Sequence, residues 1–242
     1  MSDETENSTA EGPTATSAGS DPAGPATTRS ITADKPAAKR KRSLWVELPI
    51  LAVIAIIVAL VLRTFLVETF YIPSGSMENT LLMGDKVLVN KVVYHTRDPR
   101  RGEVIVFVAP DSWRTPGESK DFIKRVMAVG GDHVSCAGAG ARLTINGHAV
   151  NESAYLYPGS QPCLSAFTVT VPADRLFVCG DHRDESADSR RHLDYANGTG
   201  TVASGSVVGR AFSVVWPADR WKSLSVPTAD KQIPGPTSTS TG

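Results

Sequence analysis

The sequence predicts a mostly β domain carried on one N-terminal transmembrane helix. An uncharged apolar run extends from Leu48 to Leu62. After it come short segments rich in Val, Ile and Phe, separated by turn residues, the pattern of strands. No long stretch beyond the apolar run repeats its apolar residues at the 3.6-residue spacing of a helix face.

Residues 1–43 form the first segment. They are mostly Ser, Thr, Ala, Gly and Pro with a few acids, and end in the basic cluster Lys39-Arg40-Lys41-Arg42. Such a stretch buries too little apolar surface to offset its ordering entropy, so a disordered tail is expected. Residues 44–67 are expected to span a membrane. A helical span takes roughly 17–25 mostly apolar residues, and here Glu47 and Arg63 would lie near the two interfaces, where long side chains can reach the headgroups. Trp45 and Tyr71 flank the run as interfacial aromatics do. The basic cluster before it places the tail in the cytoplasm by the positive-inside rule, and residues 68–226 outside. No Ala-x-Ala site follows the run, which argues against a cleaved leader.

Within residues 68–226, strands are expected at Lys86–Val93, Glu103–Ala109, Asp121–Val129, Leu176–Cys179 and Val207–Trp216. Asn146-Gly147, set between Arg142-Leu-Thr-Ile and His148-Ala-Val, is the signal of a type I′ hairpin. Residues 227–242 read as a second disordered tail.

The composition narrows the function. Lys+Arg 25 balances Asp+Glu 25, which argues against nucleic acid held by a general basic field. A hydrophobic content of 41% fits neither wholesale disorder nor a polytopic membrane protein. Three cysteines are too few for a disulfide scaffold and lack the paired C-x-x-C spacing of a zinc site. Cys136 and Cys163 flank the hairpin on the expected outer side, where they could pair. Cys179 ends an apolar strand without a Cys-His motif and reads as a buried small hydrophobe.

Three segments carry the chemistry. In Tyr71-Ile-Pro-Ser-Gly-Ser-Met77, Pro73 and Gly75 can hold two serines in a tight exposed loop, although Ser-Gly-Ser alone is commonplace in turns. In Asp121–Asp132, strand alternation puts Lys124 on the face of Phe122 and Val126, and Arg125 on the face of Ile123 and Met127. A lysine buried among apolar neighbours loses part of its basicity and becomes a base near neutral pH, a role closed to arginine. The bland alternative is an edge strand with both cations in water. The third segment, Gly180-Asp-His-Arg-Asp-Glu-Ser-Ala-Asp-Ser-Arg190, is either a solvated turn or a set of ion pairs that positions something else.

Together and in this order, these segments resemble the bacterial type I signal peptidases, of single-span Gram-positive-like form. The resemblance covers about Leu44 to Trp221 and rests on Ile72-Pro-Ser-Gly-Ser-Met77 with Gly84-Asp85, Arg101-Gly-Glu-Val, Ile123-Lys-Arg-Val126, the Gly180–Arg190 segment and Gly209-Arg-Ala211. It implies a signal-peptidase-like β-rich catalytic domain and a membrane-bound serine endopeptidase that works through an acyl-enzyme. By position, Ser76 resembles the nucleophile and Lys124 the general base. Ser74 matches the hydroxyl of the oxyanion hole, and Ser186 the serine that orients the lysine. Asp181, Arg183, Asp188 and Arg190 match supporting polar residues, the last two as an ion pair. His182 and Glu185 depart from the asparagines the family often carries there.

The implied partners are secretory preproteins with small-residue Ala-x-Ala sites, membrane lipid and the secretion translocon, with no nucleic acid. The residues agree chemically: none of the five histidines sits in a triad motif, and a Ser-Lys pair is a known variant of the triad. Ser76 follows the expected span so closely that the chain can carry it at most ~36 Å beyond Leu66. Two other readings compete. An inactive anchored β domain that binds envelope partners would have no need of Ser76, Lys124 and Ser186 together. A self-cleaving Ser/Lys repressor would need a DNA-binding module where the apolar run stands.

Overall fold

The computed structural model describes residues 44–193 and 200–236. The expected tail at 1–43, with its basic cluster, lies outside them. Helix α1 (Leu44–Leu66) leads directly into strand β1 (Val67–Tyr71). The strands that follow are β2 (Lys86–Asn90), β3 (Val104–Val108), β4 (Asp121–Val129), β5 (His133–Cys136), β6 (Thr144–Ile145) and β7 (His148–Ala149). The remainder are β8 (Phe167–Thr170), β9 (Arg175–Cys179), β10 (Val202–Ala203), β11 (Val207–Trp216) and β12 (Lys222–Ser223), before the single-turn helix α2 (Thr228–Lys231).

In α1 the large apolar side chains from Leu48 to Leu60 are each at least half exposed. Among the described residues, no helix is long and apolar enough to cross a membrane. The expected end of the helical segment is corrected slightly: Val67 already belongs to β1, whose residues pair with β2 from Val67↔Asn90 to Tyr71↔Lys86.

All strand pairs are antiparallel. The larger sheet runs β1-β2-β11-β3-β4-β9-β10, with β12 added on β11, and the smaller runs β7-β6-β5-β8. Strand β3 (Val-Ile-Val-Phe-Val) is a continuous apolar run because both its faces are covered. Val104 and Val106 join a core with Ile72, Met77, Leu81, Val87 and Ala211. Ile105 and Phe107 face the other way, into a core with Trp113, Phe122, Val126 and Val178. A third core, with Met127, Val134, Leu143, Ile145 and Phe177, joins the smaller sheet to β4 and β9. Burying a side chain such as Phe107 contributes roughly 1.5–3 kcal/mol.

The hairpin at Asn146-Gly147 joins β6 to β7, and both residues have positive φ, 52° and 80°, as a type I′ turn requires. Cys136 and Cys163 form a disulfide across this subdomain. Residues 227–236, assigned by sequence to a tail, pack against the domain. Asp230 is 3% exposed, Arg101 donates to the Ile233 carbonyl, and Asn146 donates to that of Pro234. Low-complexity composition hid this strap because main-chain carbonyls, not side chains, make two of its attachments.

Candidate active site

Ser76 sits on a loop whose base is pinched shut. The Ile72 N–H donates to the Asp85 carbonyl and the Gly84 N–H to that of Ile72, both at 2.9 Å. The Asp85 side chain accepts from the Leu82 N–H at 2.9 Å and from both arms of Arg220, at 2.8 and 2.9 Å. Burial alone would raise the Asp85 pKa, but the Arg220 fork and the Leu82 N–H outweigh it and hold the carboxyl below its ordinary value. Ile72, Met77 and Leu81 plug the loop into the core. Between these anchors the chain makes one short 3₁₀ turn, Gly75–Met77. Ser76 is thereby fixed on both sides by buried neighbours.

Lys124 comes from the middle of β4. Its Nζ donates to Ser76 Oγ at 2.7 Å, and each residue is 5% exposed. The ammonium lies 5.6 Å from the Phe122 ring centre, on the face that alternation assigned to it. Burial lowers its pKa to about 8, and the charges of Asp188 and Asp181 oppose that shift only in part. Near neutral pH a usable fraction of the amine is therefore neutral, and 2.7 Å serves a proton moving either way.

Ser74 stands exposed beside the pair, its Oγ 3.4 Å from Ser76 Oγ. A cleft of about 410 Å³ opens over the two residues, walled by Pro73, Ser74, Phe122, Ile123 and Ala187, with Glu118, Asp121 and Glu185 also lining it. Its walls are apolar at Pro73, Phe122, Ile123 and Ala187, and acidic at Glu118, Asp121 and Glu185.

The 180–190 segment lies beneath. The His182 N–H donates to the Ser76 carbonyl at 3.2 Å, tying this segment to the serine loop. Asp188 accepts from the Gly180 N–H at 3.0 Å and from Arg190 at 3.0 and 2.8 Å. Burial works against its charge, but Arg190 overcomes that and keeps the carboxyl low. Arg183, fully buried, donates to the carbonyls of Gly180 and Pro162 and to Glu152.

Asp181 turns away from these arginines and takes a bidentate fork from Arg125 at 2.8 and 2.6 Å. Thr80, at the end of the serine loop, donates to the same carboxylate. Arg125 also donates to the Gly102 carbonyl and stacks on Tyr155, 4.2 Å from its ring centre. Arg125, Thr80 and Glu152 were not candidates from sequence. The one local signal was that Arg125 shares its strand face with Ile123 and Met127, which made a buried and hence paired cation a plausible outcome.

Ser186 and His182 make other contacts. The Ser186 hydroxyl is buried, but it makes no hydrogen bond to Lys124 and has no hydrogen-bond partner among the described residues. It is wedged against Gly180 instead, close enough to Asp188 to favour the charged carboxylate without hydrogen-bond geometry. The His182 side chain turns elsewhere: its Nδ1 is 3.2 Å from Glu78 and its ring stacks on Tyr157 at 3.9 Å. Among the described residues no group of His, Cys, Asp and Glu side chains is arranged to hold a metal ion.

Comparison with known proteins gives consistent matches. The family model described as signal peptidase, peptidase S26, matches residues 45–216. A probable signal peptidase I of Mycobacterium leprae is 40% identical, over 76% of this chain and 80% of that protein. A signal peptidase I of Mycobacterium tuberculosis is 38% identical, over 75% and 76%. A probable signal peptidase I-2 of Synechocystis is 36% identical, over 73% and 75%.

Proposed function

The chain belongs to the signal peptidase, peptidase S26, family, a family of hydrolases that act on secreted preproteins, and from that premise we propose that Ser76 and Lys124 are its catalytic dyad. The 2.7 Å approach of Lys124 Nζ to Ser76 Oγ, inside a cleft and with the amine's basicity reduced, carries this reading.

A serine hydroxyl is a poor nucleophile until a base takes its proton. The neutral Lys124 amine accepts that proton as Ser76 Oγ attacks the scissile carbonyl carbon. The negative charge that develops on the carbonyl oxygen falls beside the Ser74 hydroxyl and the Ser76 backbone N–H. Loss of one such donor in other serine proteases costs ~10²–10³ in kcat. The Lys124 ammonium then gives its proton to the departing amine as the C–N bond breaks, leaving an ester on Ser76. Water, deprotonated by the same amine, attacks that ester and frees the signal peptide as a carboxylic acid.

Asp181, Arg183, Asp188 and Arg190 act in this reading by holding the 180–190 segment under the serine loop. The shallow apolar walls at Phe122, Ile123 and Ala187 suit small side chains, as in Ala-x-Ala sites, and reject bulky ones sterically. We further propose that residues 44–67 anchor the enzyme, with its N-terminus cytoplasmic and the catalytic domain outside. The exposed apolar side chains of α1 and the short link from Leu66 to Ser76 support this: the scissile bond of a preprotein leaving the translocon would lie at a matching depth.

The test is cleavage of an Ala-x-Ala preprotein by the purified full chain in detergent or lipid, alongside Ser76→Ala and Lys124→Ala variants shown to be folded. Cleavage lost in both variants is the expected result. Undiminished cleavage by either would remove that residue from the dyad.

A further inference from the structure

A second cavity, of about 660 Å³, shares no lining residue with the cleft over the dyad. Arg97, Arg100, Arg101, Arg210 and Lys231 line it, against the carboxylates of Glu103 and Asp230. Arg97 is neutralised by Glu103 at 2.5 Å, and Arg101 by Asp132, which lies outside the lining. The side chains of Arg100 and Lys231 have no partner among the described residues. Arg210 Nε is buried 3.4 Å from Glu103 Oε1, a charge contact without hydrogen-bond geometry. The site therefore keeps an excess of cation.

The opposite wall holds an unused acceptor. Asp230 is 3% exposed, and its Oδ1 accepts from the Tyr155 hydroxyl at 3.3 Å. Its Oδ2 has no donor among the described residues. A buried polar atom without a partner is uncommon in a finished fold and points to a missing group. The two walls ask for different things: the surplus cations for an anion, Asp230 Oδ2 for a hydrogen-bond donor.

Register says where this cavity lies. Arg210 pairs with Asn90 on β2, and Asn90 pairs with Val67, the residue that follows α1. Two strand spacings of ~4.8 Å separate Arg210 from the point where the helix joins the sheet. Arg210, and with it the wall of the cavity it lines, therefore lies towards the helix end of the sheet, where the anchoring proposed above would bring phosphates within reach.

We infer that this cavity binds a phosphodiester headgroup that carries a free hydroxyl, as on an anionic glycerophospholipid. The phosphate meets Arg100, Arg210 and Lys231, and the hydroxyl donates to Asp230. The inference rests on the proposed anchoring for its choice of a lipid over free phosphate.

The experiment uses the full chain in detergent with three soluble probes: dihexanoyl-phosphatidylglycerol, its phosphatidylcholine analogue and inorganic phosphate. Binding is read by titration calorimetry for the wild type and an Arg100→Gln/Lys231→Gln variant, whose exposed side chains let the fold be checked by its melting curve. The expected result is preference for phosphatidylglycerol over phosphatidylcholine, weakened by ~tenfold or more in the variant, as two lost surface cations imply. Asp230→Asn should reduce the preference for phosphatidylglycerol over phosphatidylmethanol, which lacks the hydroxyl. Equal binding of the glycerol and choline lipids would overturn the inference, as would binding unchanged in the double variant. Tight binding of inorganic phosphate with none of the lipid would overturn it in favour of a free anion. Flotation with phosphatidylcholine vesicles tests the anchor separately, since those vesicles offer no anionic headgroup.

Discussion

Gly180 lies so close beneath Ser76 that a Cβ placed on it would stand 2.3 Å from the Ser76 carbonyl oxygen and 2.3 Å from Ser186 Oγ. No rotamer relieves a contact with a main-chain oxygen, so Gly180→Ala has to push the serine loop away from β9. Misplacing a nucleophile by about 1 Å costs ~10²-fold. The variant should lose at least that much in kcat while the chain keeps its disulfide and stays folded. Steady-state kinetics together with a melting curve would show it; wild-type kcat would mean the loop is not held from below.

The reduced basicity of Lys124 fixes the sign of the pH dependence. Burial lowers its pKa to about 8, and in the proposed dyad only the neutral amine can take the Ser76 proton. Activity should rise as pH increases through about 8, falling roughly tenfold per pH unit well below it. The kcat/KM profile of the reconstituted enzyme on a fixed substrate reads this directly. A level profile between pH 6 and ~9 would be incompatible with a lysine base.

The same burial makes the base a liability to the fold. The pKa of Lys124 is about 8 in the folded chain against an ordinary 10.5. Below about 8 both states carry the proton and the folded state bears the full cost of a buried ammonium. The cost shrinks from about 8 to 10.5 and is absent above, so stability is lost as pH falls through that window. Lys124→Met should therefore be inactive yet more stable than wild type at pH 7, by up to about 3 kcal/mol. Urea titrations at pH 7 and near 10.5 should show the gap closing; a destabilised methionine variant at pH 7 would count against the buried charge.

Asp181 and Arg125 should behave as a unit. Asp181→Asn leaves the Arg125 guanidinium buried without its counter-charge, which typically costs about 3–5 kcal/mol. It also frees Thr80, so activity should fall with stability. Replacing both, as Arg125→Met/Asp181→Leu, should destabilise less than the single change, and a double-mutant cycle in urea measures the difference.

All three cysteines should be silent to alkylation in the native protein. Cys136 and Cys163 are paired, and burial pushes the Cys179 thiol up to about 12, far from a reactive thiolate. Mass spectrometry after iodoacetamide should find no adduct until the chain is unfolded and reduced, when three appear. Rapid native labelling of Cys179 would mean that β9 opens.

Much of the larger sheet was legible because its strands announce themselves locally. Strands β4 and β11 fall on the residues their apolar runs mark out, and the hairpin at Asn146-Gly147 turns where its positive-φ residues allow. Val67, the first residue of β1, was read as the end of the helix because Phe65, Leu66 and Val67 continue its apolar character without a break. Strands β5 and β8 are four residues each, too short for alternation to declare them. At the site, Ser76 and Lys124 stand out by residue type and strand face. Their supports do not: Arg220 on Asp85, Glu152 on Arg183 and Arg125 on Asp181 are pairings across 135, 31 and 56 residues. Only the folded chain brings such partners together, and local spacing holds no trace of them.

Strand β11 lies between β2 and β3 in the larger sheet, although it is made more than a hundred residues after the first of them. The strands flanking the Ser76 loop and the strand carrying Lys124 are thus joined edge to edge only through Val207–Trp216. A chain emerging from the ribosome holds both halves of its chemistry long before it holds the strand that couples them. Until residue 216 has arrived, the sheet has a gap where the dyad should meet. In the proposed reading, a growing chain that still lacks this strand holds its serine and its lysine uncoupled.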